Sequence, residues 1–272
     1  MTRRYAICNE TFQDWPLERA VKFAKDAGYT GWEVAPFMLS DDIRSFGKGQ
    51  RDEYRDTVTS AGLEIVGLHW LLAKTEGFHL TTMDADTRKR TTDYMIELIQ
   101  LCSDLGGSLM VLGSPHQRNL TEGQTMQQAM ENAAEVISGC ADSLKKLDIK
   151  IALEPLGPQE GNFLNTAAEA RSLQAMIGSP QVGLHLDVKA MSTEPDPIAK
   201  VIEDNADWMI HFHANDPNLL GPGMGDVDFR PIFAALDKVD YDGWVSVEVF
   251  DYSPGAERLV NESMQNMVAA QA

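Results

Sequence analysis

Short apolar runs alternate with longer amphipathic stretches along the whole chain. The runs are Tyr5–Cys8, Gly31–Ala35, Glu64–Leu68, Ser108–Leu112, Ile149–Glu154, Val182–Asp187, Trp208–His213 and Trp244–Val249. The stretches between and after them have helical character: roughly Leu17–Ala27, Ser40–Ala61, Ala85–Leu105, Gly123–Leu147, Ala167–Met176, Ile198–Asn205, Pro231–Asp237 and Gly255–Ala270. Regular alternation of this kind is the βαβα signature of a parallel sheet.

The punctuation agrees with that reading. Asp26-Ala27-Gly28-Tyr29, Ser60-Ala61-Gly62-Leu63 and Asp104-Leu105-Gly106-Gly107 each place glycine where a helix ends before the next strand. Glycine there takes the left-handed conformation that residues with a Cβ resist. Val239-Asp240-Tyr241-Asp242-Gly243 reads as another such turn. Eight βα units in 272 residues predict an α/β protein, a (β/α)8 TIM barrel forming a single domain over residues 1–272. A doubly wound open sheet is the alternative. It lacks support, because neither GxGxxG nor GxxxxGK[ST] follows the first strand.

Charge and cysteine content narrow the function classes. Acids outnumber bases 41 to 23, a formal net charge of -18. Such a surface repels phosphate backbones and anionic lipid, which argues against nucleic-acid and membrane partners. Cys8, Cys102 and Cys140 are odd in number, widely spaced and free of any CxxC motif. They read as small buried hydrophobes in a reducing compartment. The start, MTRRYAICNETF, has no apolar segment behind its arginines, and no run approaches a membrane span. The expectation is a cytoplasmic protein.

In a barrel of this type the chemistry sits at the C-terminal ends of the strands. The fifth run, Ile151-Ala152-Leu153-Glu154-Pro155-Leu156, looks like a buried strand that ends on a carboxylate. An unpaired buried carboxylate is costly, so something positive is expected to face Glu154. The sixth run ends at Asp187, the seventh at His213, and the eighth carries Glu248 near its end. Any one of these acids is also suited to capping the helix that follows it. Four ionisable groups from consecutive strands form a mixed oxygen and nitrogen set suited to one divalent cation. Mn2+ is the first choice, with Mg2+, Co2+ or Zn2+ as alternatives. His185 and His211 alternate with Asp187 and His213 and so face the same side of their strands. They read as packed or supporting histidines rather than ligands. His69, at the end of the third strand, and His116, after the fourth, reach the rim as candidate substrate contacts, and Phe37, Trp70, Phe163 and Phe250 supply apolar surface near it.

These residues resemble the xylose-isomerase-like barrels, and within them the D-tagatose 3-epimerase group of ketose epimerases, often labelled sugar phosphate isomerase/epimerases. The spacing of Glu154, Asp187, His213 and Glu248 is similar to that group's metal tetrad. Glu160, six residues beyond Glu154, and Phe163-Leu164-Asn165-Thr166 resemble its stretch after strand five, where the glutamate contacts sugar hydroxyls. His211-Phe212-His213 with Asn218, Gly223, Gly225 and Asp228 resemble its loop after strand seven. The chain departs from the pattern twice. A histidine expected three residues after Asp187 is Ala190, preceded by Lys189, and an arginine expected six residues after His213 is Leu219. Lys189, Arg118 and His116 are the candidates to replace the lost contacts.

The resemblance implies an isomerase of carbohydrate metabolism that binds one divalent ion and a small sugar, and it suggests a homodimer or homotetramer. Glu154 and Glu248 would pass a proton across C3 of a ketose through a cis-enediolate. Returning the proton to C1 or C2 would make the same site an aldose–ketose isomerase. No arginine cluster marks a phosphate site, so the reading leans to a non-phosphorylated sugar. Three alternatives stand beside it: an inosose- or dehydroshikimate-type dehydratase, an endonuclease IV-like repair enzyme, and a non-catalytic barrel subunit. Ala190 and the net charge of -18 oppose the endonuclease.

Overall fold

In the computed structural model, which describes residues 3–271, the eight apolar runs pair in chain order and close on themselves. The strands are β1 (Arg4–Cys8), β2 (Gly31–Val34), β3 (Glu64–Leu68), β4 (Leu109–Leu112), β5 (Lys150–Leu153), β6 (Val182–Asp187), β7 (Met209–Ala214) and β8 (Trp244–Val247). All the pairings are parallel, including β1 with β8, which closes the barrel. Parallel neighbours need a crossover. These are supplied by α1 (Leu17–Asp26), α2 (Lys48–Ser60), α3 (Ala85–Leu105), α4 (Met126–Ser138), α5 (Ala141–Leu147), α6 (Ala167–Ile177), α7 (Val188–Met191), α8 (Ile198–Asp204) and α9 (Phe229–Lys238), and α10 (Ala256–Ala269) follows the last strand.

Three local departures from the sequence reading have physical causes. The stretch Ser40–Ala61 is helical only from Lys48. Before it, the Asp42 side chain accepts from the Arg44 amide and closes a short 3-10 turn over Ile43–Ser45. The stretch Gly123–Leu147 is two helices. Thr125 caps the first through a reciprocal pair with Gln128, which leaves Gly123 and Gln124 in a turn, and Gly139 ends it against Thr92 of α3. In the turn before β8 the left-handed residue is Asp240 (φ 53°), not Gly243. Gly243 is there for space, since a Cβ would lie 2.4 Å from the Tyr241 hydroxyl.

The main core lies between barrel and helices. It is built from the outward faces of the strands and the inward faces of the helices, with Trp32, Tyr29, Phe212 and Phe233 among its largest members. Inside the barrel, a second apolar cluster fills the N-terminal half: Ala6, Val66, Leu109, Val111 and Ala152, with Ile210 and Trp244 against them. Two residues further along the strands the interior turns polar. Cys8, Glu33, His185, His211, His213 and Ser246 lie there, each fully buried. No described helix is long and apolar enough to cross a membrane.

Gly67 permits the tightest approach between strands. A Cβ there would lie 1.9 Å from the Leu109 carbonyl oxygen, which is backbone and cannot rotate away. Gly67→Ala is therefore expected to lower unfolding free energy by about 1–3 kcal/mol or more in a urea melt. Gly49→Ala, in α2 with open space around it, should be neutral or stabilise by up to about 1 kcal/mol.

Candidate metal and substrate site

The four predicted rim residues converge on the C-terminal mouth of the barrel, and all four are buried. Asp187 ends β6 and His213 lies on β7, while Glu154 and Glu248 each follow their strand directly. Glu154 lies over the end of β4. A Cβ at Gly113 would fall 1.5 Å from its Oε2, so the carboxylate occupies a place that only glycine leaves open. The backbone carbonyl of Glu154 accepts from Arg118 Nη1 at 2.7 Å, and the same nitrogen donates to the Leu112 carbonyl at 3.1 Å. Arg118 thus braces the ends of β4 and β5 against each other. Burial lowers its guanidinium to about 10, against the pull of Glu154 and Glu160.

Asp187 carries two duties. Its Oδ1 caps α7 by accepting from the Ala190 amide at 2.8 Å, and its Oδ2 accepts from the Asn215 side chain. Asn215 Oδ1 in turn accepts from the Lys189 amide at 2.8 Å. The capping role considered for the rim acids is realised here without removing Asp187 from the site.

His213 lies between two carboxylates. Its Nδ1 is 3.0 Å from Glu248 Oε2, and its Nε2 is 3.0 Å from Glu33 Oε1. Glu33 Oε2 lies 2.9 Å from His211 Nε2, so one buried carboxylate orients both imidazoles of β7. Glu33 sits mid-strand on β2, outside the strand-end pattern, although an acid inside an apolar run is the same feature that marks Glu154. Glu10, in the turn after β1, also lies outside that pattern, and it holds His69 Nε2 at 2.9 Å. His69 therefore faces the buried interior.

The remaining candidates divide into those at the mouth and those turned elsewhere. The Trp70 indole donates to Glu248 Oε1. Trp70 takes a left-handed backbone (φ 53°), a strained conformation for a bulky residue, and this carries its ring into the mouth. Phe37 and Phe250 flank it with ring centres 6.0 and 6.1 Å away. The Lys189 ammonium pairs with Glu160 and lies 4.3 Å from the Phe250 ring centre. His116 is exposed on its loop. Asn218 is exposed too, its side chain donating to the Met224 carbonyl and accepting from the Leu220 amide. Leu219, in the left-handed region at φ 73°, accepts from the Phe250 and Asp251 amides at 2.9 Å and ties the loops after β7 and β8 together.

The electrostatics are those of buried carboxylates crowded together at one mouth. Burial, Glu248 and Asp187 together push the Glu154 carboxyl well up. Burial and Glu248 raise Asp187 to about 6, opposed by Lys189 and His213. Glu248 is held below its ordinary range, because the His213 charge and hydrogen bond outweigh burial. Burial works against ionisation of His213 as well, but Glu33 and Glu248 raise it well above the usual imidazole range. Burial and the charges of His213 and His211 push His185 well down, so it is neutral. The ligand atoms of Glu154, His185, Asp187 and His213 all lie within 4.8 Å of one another. With the Gly113 cradle and this oxygen and nitrogen donor set, the residues fit a divalent cation.

A family model described as "Xylose isomerase-like TIM barrel" matches residues 21–270. The chain belongs to that family. Among curated relatives, a probable ketose 3-epimerase of Synechocystis sp. is 30% identical over 84% of this chain and 77% of its own length. An L-ribulose 3-epimerase of Mesorhizobium japonicum is 27% identical over 93% and 80%. Among solved structures, the D-psicose 3-epimerase of Clostridium cellulolyticum H10 with D-tagatose superposes with a TM-score of 0.85 at 18% identity, covering 98% of this chain and 99% of that one. The 3-keto-D-glucoside 4-epimerase of E. coli superposes at 0.83 and 18%, covering 99% of each. At these identities the structural likeness speaks for the barrel alone.

Two predictions test the cradle and the charge balance. Gly113→Ala should leave the circular dichroism spectrum unchanged while divalent-ion affinity, measured by titration calorimetry, falls at least tenfold, roughly the loss a disturbed metal site shows. The second concerns pH. The folded protein holds the Asp187 proton more tightly than the unfolded chain does, so ionising it costs stability as pH rises from the ordinary value of 3.8 through about 6. A bound cation removes that cost. The rise in melting temperature on adding Mn2+ should therefore be larger near pH 7.5 than near pH 5, where ligand protons compete with the ion.

Proposed function

We propose that this chain is a divalent-metal-dependent ketose 3-epimerase. The observation that carries the reading is the pair Glu154 and Glu248, both buried at the barrel mouth at the ends of β5 and β8, one seated in the Gly113 cradle and the other held by His213 and Trp70. Two positioned carboxylates flanking one site are what proton transfer between two faces of a substrate requires. The names of the curated relatives support the reaction type, since ketose 3-epimerases align over most of this chain.

Glu154, Asp187, His213 and Glu248 would hold the ion. When bound, it supplies Lewis-acid stabilisation for a carbonyl oxygen that gains charge as the adjacent C–H is deprotonated. The protein's own groups do the rest. Glu248, ionised and aimed by His213 and the Trp70 indole, takes the C3 proton. Glu154 returns a solvent-exchanged proton on the opposite face and inverts the centre. General acid–base action of this kind contributes on the order of 10²- to 10⁴-fold per group. Glu33 does not touch substrate in this scheme. It fixes the orientation of the His213 ring, so that one nitrogen faces the site. Glu160 and Lys189 stand at the mouth as hydrogen-bonding partners for sugar hydroxyls, and Phe37, Trp70 and Phe250 form an apolar wall.

The decisive experiment is exchange in D2O. With a divalent ion and a panel of ketoses, deuterium is expected at C3 of the product. Deuterium at C1 or C2 would instead mark an aldose–ketose isomerase, and a dehydrated product would mark a lyase. Glu154→Gln and Glu248→Gln should fold normally and lose at least about 10²-fold in turnover. Wild-type turnover in either variant would remove the two-carboxylate scheme.

A further inference from the structure

Four histidines project into the polar half of the barrel, and three are held by carboxylates: His69 by Glu10, His211 by Glu33, and His213 by Glu33 and Glu248. The fourth, His185, is fully buried and has no hydrogen-bond partner on either ring nitrogen among the described residues. A buried polar group without a partner gives up its hydration with nothing in return. The nearest carboxylate oxygen, Glu154 Oε1, is 3.6 Å from Nε2, too far for a hydrogen bond. His185 shares a strand face with Asp187, and its ring centre lies 4.1 Å from that of His213.

From this geometry we infer that His185 is itself a ligand of the divalent ion, joining Glu154, Asp187 and His213 in a two-imidazole site. The four ligand atoms already lie within 4.8 Å of one another. An ion roughly 2.0–2.2 Å from each donor spans up to about 4.4 Å between opposite ligands, so closure needs only small side-chain rotations. Glu248, held in place by His213 and Trp70, remains the fifth protein donor beside them. A second imidazole moves the preference away from Mg2+ and Mn2+ and towards Co2+ or Zn2+. This inference rests on the metal-dependent reading above, but its test does not require a known substrate.

X-ray absorption spectroscopy of the Co2+-loaded full chain counts imidazole ligands directly. Two per ion are expected in the wild-type protein, one in His185→Leu, and two in His211→Leu, whose ring is engaged by Glu33. By calorimetry His185→Leu should lose roughly 10- to 100-fold or more in Co2+ affinity, at least what an outer-shell partner is worth, and less for Mn2+. A single imidazole in the wild-type spectrum overturns the inference, and that measurement stands even if the variant fails to fold. Unchanged Co2+ affinity in a folded His185→Leu also overturns it. A wild-type chain that binds no divalent ion overturns both this inference and the metal-dependent reading. Two imidazoles without C3 exchange on any ketose leave the inference standing and remove the epimerase.

Discussion

The carboxylate of Glu33, buried between His211 and His213, is the contact on which the upper half of this barrel depends. An ion pair taken out of water costs several kcal/mol per charge unless geometry and hydrogen bonding repay it. Here each oxygen of Glu33 meets an imidazole nitrogen at 2.9 or 3.0 Å. Burial works to raise Glu33, yet the two imidazoles hold it well below the usual carboxylate range. That balance keeps a charge inside the barrel, fixes the His213 ring, and passes orientation through His213 to Glu248 at the mouth.

The site above it follows from two kinds of restraint. The strand ends are tied by side chain-to-backbone hydrogen bonds: Asp187 accepts from the Ala190 amide of α7, and Arg118 donates to the carbonyls that end β4 and follow β5. Space is held by absence. Gly113 leaves the room that the Glu154 carboxylate fills, and Gly67 lets β3 and β4 approach more closely than any side chain would permit. The apolar half beneath packs as an ordinary core, so rigidity below supports the costly polar arrangement above.

Much of this was legible in the chain. β3 and β6 occupy the residues their apolar runs predicted, and α3 does likewise between its cap at Asp84 and the left-handed Gly106. Glu154, Asp187, His213 and Glu248 were legible as strand-end ionisable groups because a barrel presents such ends on one rim. The roles of Glu33 and Glu10 were not, even though an acid inside an apolar run marks Glu33, because their partners lie on β7 and just after β3, remote in sequence. Arg118 was readable as a rim cation, but only the folded chain turns its guanidinium towards backbone carbonyls.

By itself, then, the sequence determined the alternation of strand and helix, the acidic surface, and the four ionisable strand ends, since each depends on local pattern and composition. The tertiary structure alone decided which imidazole each carboxylate faces, which histidine is left without a partner, and where glycine makes room. Those outcomes are set by distances of a few ångströms between strands that parallel closure brings together, and no periodicity along the chain encodes them.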